Sequence, residues 1–240
     1  MAAPAGHMAG MLSHWRCATV LRVPSYLLRV QLEDRPGSLG ALAVALGSVG
    51  ADILSLDVVE RGAGYAIDDL VVELPRGAMP DTLITAAEKL NGVYVDAIRP
   101  HTGLLEAHRE LELIDHVAAA DGTKRLHVLV DEAPRVLRVG WCTVIGLTES
   151  GPKRIVGSPG APETQAAETP WLPLDHAEAL DDTAEWVPHV WRDMDTTLAA
   201  APLGDHRTAV VLGRPGGPQF RPSEVARLGY LAGIIATILR

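Results

Sequence analysis

Between Tyr26 and Leu46 the spacing of apolar residues changes at a single Pro-Gly step, and this change restricts what the first hundred residues can become. Leu28, Val30 and Leu32 alternate with Arg29, Gln31 and Glu33, the period of a strand with one buried face. Pro36 and Gly37 then turn the chain, and Ser38 opens a helix carrying Leu39, Leu42, Val44, Ala45 and Leu46, which Gly47 and Gly50 stop. A second strand is expected over 52–61, a turn at Gly62-Ala63-Gly64, and a third strand over 65–74. Apolar parity switches within that third strand at Asp68-Asp69, so a bulge is expected there to keep both sets on the core. A helix over 81–90, a turn at Asn91-Gly92 and a strand over 93–99 complete the pattern. This is the split βαβ order, an antiparallel sheet with both helices on one face. The open face is expected to pair with a second copy, giving a homodimer.

Residues 100–103 mark a boundary. Beyond it Leu104, Ala107, Leu111, Ile114 and Ala118 recur at three and four, the period of an amphipathic helix. A second helix is expected over 123–137, where Pro134 should break or restart it. Strands follow over 141–148 and 154–157, then an irregular excursion over 158–173. A hairpin with strands over 198–203 and 208–213, turning at Gly204 to Arg207, leads to a closing helix over 222–239 with Pro222 as its first residue. The fold class is α+β. Residues 1–24 read as a flexible N-terminal tail, 25–100 as one domain and 101–240 as another.

Composition narrows the function classes. The 240 residues are 48% hydrophobic, enough for a core without disulfides or metal. Asp plus Glu at 30 against Lys plus Arg at 21 gives a net charge of −9 with no basic cluster, which argues against nucleic acid and membrane as partners. Cys17 and Cys142 form neither a disulfide framework nor a CxxC pair, which suits a reducing compartment. No apolar run reaches the ~18 residues that cross a bilayer, and the N-terminus lacks a charged region ahead of its small residues. A cytoplasmic location is expected.

Residues 25–100 resemble the ACT domain, the small regulatory module that binds amino acids in metabolic enzymes and regulators. The resemblance rests on LEDRPGSLGALAVAL at 32–46, on GADILSL at 50–56 and on the complete βαββαβ order. Residues 101–240 resemble a GAF domain through APLG at 201–204, AVVLGRPGGPQF at 209–220 and SEVARLGYLAGIIATIL at 223–239. The implied architecture is a ferredoxin-like ACT domain followed by a GAF-like α/β sensor domain.

A ligand site follows from the residues themselves. The amides of Ser38, Leu39 and Gly40 lie at a helix start, where backbone N–H groups are unpaired and the helix dipole favours an anion. Asp34 ends the first strand and Asp52 begins the second. They are expected on one rim of the sheet, where they would take an ammonium group. Together these suit a zwitterionic amino acid. The ACT resemblance implies the same site, Asp34, Pro36, Gly37, Ser38, Leu39, Asp52, Ile53 and Leu54, usually shared between two copies. ACT domains often carry Asn where this chain has Asp52, and a carboxylate only accepts hydrogen bonds.

Other constellations are weaker. His108, Glu112 and His116 form one helical stripe that reads as solvated surface. His176 beside Asp175, His189 near Asp193, and Cys142 lack any motif that would place a nucleophile beside a base. No glycine loop for phosphates is present. Trp171, Trp186 and Trp191 are candidates for core or for the walls of a pocket. The reading is a non-enzymatic regulatory sensor that binds a small amino acid, without cofactor or metal. The alternative is a protein-interaction or oligomerisation module with no small-molecule ligand.

Overall fold

The structure, a computed structural model, describes residues 24–101 and 108–240. Most of the tail, with Cys17, and the helical positions Leu104 and Ala107 lie outside the described residues. The first half runs β1 (Ser25–Glu33), α1 (Ser38–Ser48), β2 (Asp52–Arg61), β3 (Tyr65–Glu73), α2 (Asp81–Glu88) and β4 (Val93–His101). Its four strands lie in the order β2-β3-β1-β4. Leu28, Val30, Leu32, Leu70 and Val72 meet Leu42, Leu46 and Leu83 of the two helices in one core, so both helices cover the same face.

The bulge expected at Asp68-Asp69 is not found. β3 pairs with β1 in unbroken register there, Arg29 facing Asp69 and Val30 facing Asp68. The parity switch has another cause: Ile67 and Asp69 lie on the face away from the helices, and that face is buried too. Leu27, Ile67 and Val71 are each almost fully covered. The register instead shifts in β2, between Ile53 and Ser55 and between Val58 and Glu60.

The second half contains α3 (Arg109–Ala119), α4 (Arg125–Val136), β5 (Trp141–Thr148), β6 (Gly151–Gly157), β7 (Glu178–Leu180), α5 (His189–Asp193), β8 (Thr197–Leu203), β9 (Asp205–Arg214) and α6 (Pro222–Ile238). Its sheet is antiparallel in the order β6-β5-β9-β8-β7. Val144, Ala201 and Leu212 on one face pack against Leu113, Val130, Leu231 and Ile235 of the long helices. The irregular excursion and the segment that follows it cover the other face, placing Leu172, Leu174 and Val187 against Ile145, Ala200 and Val211.

Pro134 does not break its helix. It lies in the last turn of α4, so it removes the donor to the Val130 carbonyl but leaves only two helical residues beyond it to be disturbed. Val139 N donates to Pro134 O at 3.0 Å, closing the helix with Arg138 in the left-handed region at φ 55. Glycine usually holds that place. Arg138 accepts the torsional cost and gains ion pairs to Asp57 and, at 3.0 Å, to Asp69.

These ion pairs belong to a buried cluster that joins the two halves. The alternation in β1 implies a solvent-facing Arg29, yet Arg29 is only 2% exposed. Its Nε donates to Asp69 at 2.7 Å and its terminal nitrogens reach Glu224 at 2.9 and 3.0 Å. Glu224 also accepts from Arg214 at 2.7 Å and from the Arg221 amide at 3.0 Å, so one carboxylate caps α6 and binds two guanidinium groups. At the rim, Arg221 pairs with Asp96 at 2.6 Å. The face expected to receive a second copy is therefore occupied largely by the chain's own second half.

Candidate ligand-binding site

The turn between β1 and α1 is built around Gly37, whose φ of 92 places it where L side chains rarely go. Gly37 is also the N-cap of α1, so no side chain caps that helix start. Ala41 N already donates to Gly37 O at 2.9 Å, and Ser38 N is engaged by Arg35 O at 3.2 Å. Pro36, Gly37 and Leu39 are exposed and Ser38 is half-buried. Asp34 accepts from Arg61 at 2.9 Å, which ties this turn to the far end of β2.

Asp52 does not meet Asp34 within the chain. β1 and β2 are parallel across β3, since Glu33 lies beside Tyr65 and Arg61 beside Ala66, whereas Ser25 and Asp52 both lie beside Glu73. The end of one strand and the start of the next parallel strand sit at opposite rims. Nine steps of ~3.3 Å along β2 separate Asp52 from Arg61 by about 30 Å. Ile53 packs against the helix-side core, and Leu54 is exposed with Asp52.

Asp68 was not marked as a binding residue by its sequence. It is 1% exposed, on the helix side of β3, and neither carboxylate oxygen has a hydrogen-bond partner. Burial pushes this carboxyl above the ordinary aspartate range, Arg61 opposes the shift, and Asp34 and Asp69 add to it. The raised value means that its stabilising contribution is complete below the ordinary aspartate range and is lost as pH rises through the folded-state value. Asp68→Asn should therefore stabilise the protein at neutral pH by about 1–2 kcal/mol. That gain should vanish in acid; urea unfolding at neutral pH and near pH 3 measures both.

The remaining candidates are dispersed. Cys142 is fully buried in the core, and burial alone pushes its thiol well above the usual range. His176 and Asp175 are exposed, and His189 accepts from Arg192 at 3.2 Å. His116 pairs with Glu132 of α4 at 2.9 Å instead of extending the stripe with His108 and Glu112. Trp191 packs at a tilt of 56° against Trp141, ring centres 5.0 Å apart, beside a cavity of only about 10 Å³, so it fills core. Trp171 and Trp186 form a half-buried pair at 6.0 Å. Among the described residues no group of three His, Cys, Asp or Glu could hold a metal ion, and no helix is long and apolar enough to cross a membrane.

No family model matches the chain. A stretch of 120 residues, 49% of the chain, is 28% identical to the NAD-dependent malic enzyme of Geobacillus stearothermophilus and covers 24% of that protein. The chain thus spans about a quarter of the length of this curated relative. Among solved structures, an unknown protein from Galdieria sulphuraria is 12% identical, with coverage of 90% of this chain and 91% of that one at a TM-score of 0.31. GqqA, a quorum quenching acylase, is 17% identical over 33% of this chain and 43% of its own, at a TM-score of 0.26. A formyltetrahydrofolate deformylase from Pseudomonas putida KT2440 is 12% identical over 44% and 39%, also at 0.26. TM-scores this low carry no argument about fold or activity.

Proposed function

We propose that the chain is a non-catalytic sensor of a small amino acid, an ACT-like domain coupled to a GAF-like one, and that two copies build each ligand site together. The observation that carries this reading is the unpartnered, buried carboxylate of Asp68 within reach of the charges of the Asp34–Arg61 pair, which ties down the turn leading to an uncapped helix start. A ligand carboxylate would take the free donors of the first turn of α1, and its ammonium group the carboxylates.

A second copy supplies Asp52. β2 is an edge strand with Leu54, Leu56 and Val58 exposed, and its register is regular only over Ser55–Val58, between the two shifts. Antiparallel pairing of two β2 edges about Leu56 places Leu54 of each copy against Val58 of the other. Asp52 then falls opposite Glu60 of the second copy, next to Arg61 and Asp34. With Asp68, four carboxyl groups then stand against one guanidinium and leave a negative excess that an ammonium group offsets. The ligand would thereby favour the dimer, which is the differential affinity a sensor requires.

A thermal-shift screen of the common amino acids tests this reading. At least one should raise the unfolding temperature of the wild type and have no such effect on Asp52→Ala. Asp68→Asn should raise the unliganded midpoint while weakening the response, the opposed signs expected of a binding residue held at a stability cost. If no amino acid stabilises the wild type, the exposed β2 row favours the oligomerisation module instead.

A further inference from the structure

Charge bookkeeping in the cluster between the two halves leaves one cation, Arg99, without an ion pair among the described residues. Arg29, Arg109, Arg138 and Arg214 are ion-paired to Asp57, Asp69 and Glu224. Arg99, at the end of β4, adds a further charge to this group. Its contact with a polar group is a 3.4 Å hydrogen bond donated to the Arg138 carbonyl, and no carboxylate lies within ion-pair distance of it among the described residues. The Arg138 Nε is buried and likewise has no acceptor. Burial and the charge of Arg214 outweigh the attraction of the more distant Asp69 and Glu224 and pull Arg99 down to about 10, so it remains charged at neutral pH. Charges held out of water call for a partner.

Arg99 and Arg138 face a cavity of about 550 Å³ where the two halves meet. Leu27 and Pro215 contribute apolar wall, and Arg135 and His101 complete its basic side. A volume of this size suits a small metabolite and is generous for a bare inorganic ion. We propose that this cavity is a binding site for a small organic oxyanion, a carboxylate or phosphate ester with an apolar body, whose charge is taken by Arg99 and Arg138. Its walls come from β1, β4, the α4–β5 turn and the segment after β9, so an occupant would bridge the two halves. The site shares no residue with Asp34–Leu39 or Asp52–Leu54. A null amino-acid screen leaves it standing, and a null anion titration leaves the amino-acid site standing.

Calorimetric titration of the full chain in low-chloride buffer tests it, with phenyl phosphate and benzoate as anionic probes, inorganic phosphate as the bare ion and phenol as the neutral body. One organic anion should bind with Kd of about 1 mM or tighter, and more tightly than both inorganic phosphate and phenol. Arg99→Met should weaken that binding about tenfold or more while leaving the unliganded midpoint unchanged or raised, since a half-buried charge without an ion pair is removed. Arg99→Lys should lose less, and serves as the variant to read if the methionine protein fails to fold. Absence of binding by either organic anion at about 10 mM, or affinity unchanged in the arginine variants, overturns the proposal.

Discussion

Glu224→Ala should destabilise the protein by about 3–5 kcal/mol, a large part of the 5–15 kcal/mol that holds a typical domain together. The variant leaves Arg29 and Arg214 buried without their shared carboxylate and removes the acceptor for the Arg221 amide at the start of α6. Burial alone would raise the Glu224 carboxyl; the hydrogen bond from Arg29 and the charges of Arg214 and Arg29 outweigh it and bring it to about 2. Its stabilising contribution is therefore complete above the ordinary glutamate range and is lost as pH falls toward 2. Urea unfolding of the wild type, Glu224→Ala and Glu224→Gln at neutral pH measures the effect. The glutamine variant, which keeps the shape and one acceptor, should fall between the other two. A loss below about 1 kcal/mol in the alanine variant would mean that the cluster does not bind the halves together.

Asp52→Ala should cost the proposed amino-acid site about 10–100-fold in affinity, the weight of one charge-assisted hydrogen bond to an ammonium group. Gly37→Val should abolish binding by a different route. A Cβ at Gly37 meets nothing within 4 Å, so the cost is torsional, arising from its φ of 92. Relief of that strain would swing the turn and move the first amides of α1 off their target. The two residues lie at opposite rims of one sheet, and only pairing with a second copy brings Asp52 to the turn that Gly37 shapes.

The strand and helix order of the first half was legible because each element announces itself locally, by period and by glycine at the turns. The error over Asp34 and Asp52 was topological. Two parallel strands joined by a helix begin at the same rim, so the end of β1 cannot adjoin the start of β2. Arg29 and Asp69 read as polar positions on an open face because the groups that cover them come from far along the chain, Glu224 at 195 residues from Arg29 and Arg138 at 69 from Asp69, and no local pattern records such contacts. Asp68 was masked for the same reason: its isolation depends on what packs over the strand. β7 and α5, only 3 and 5 residues long, are too short to impose a period on the segment that follows the excursion.

A mixing experiment bears most directly on the claim that two copies share each site. Gly37→Val and Asp52→Ala proteins, the first without binding and the second weakened, are combined, allowed to exchange subunits and titrated calorimetrically with the amino acid that stabilises the wild type. In a mixed dimer one site joins the intact turn of one chain to the intact Asp52 of the other. Random pairing should then restore about a quarter of the wild-type sites at wild-type affinity. A mixture that binds no better than its two components would contradict the shared site.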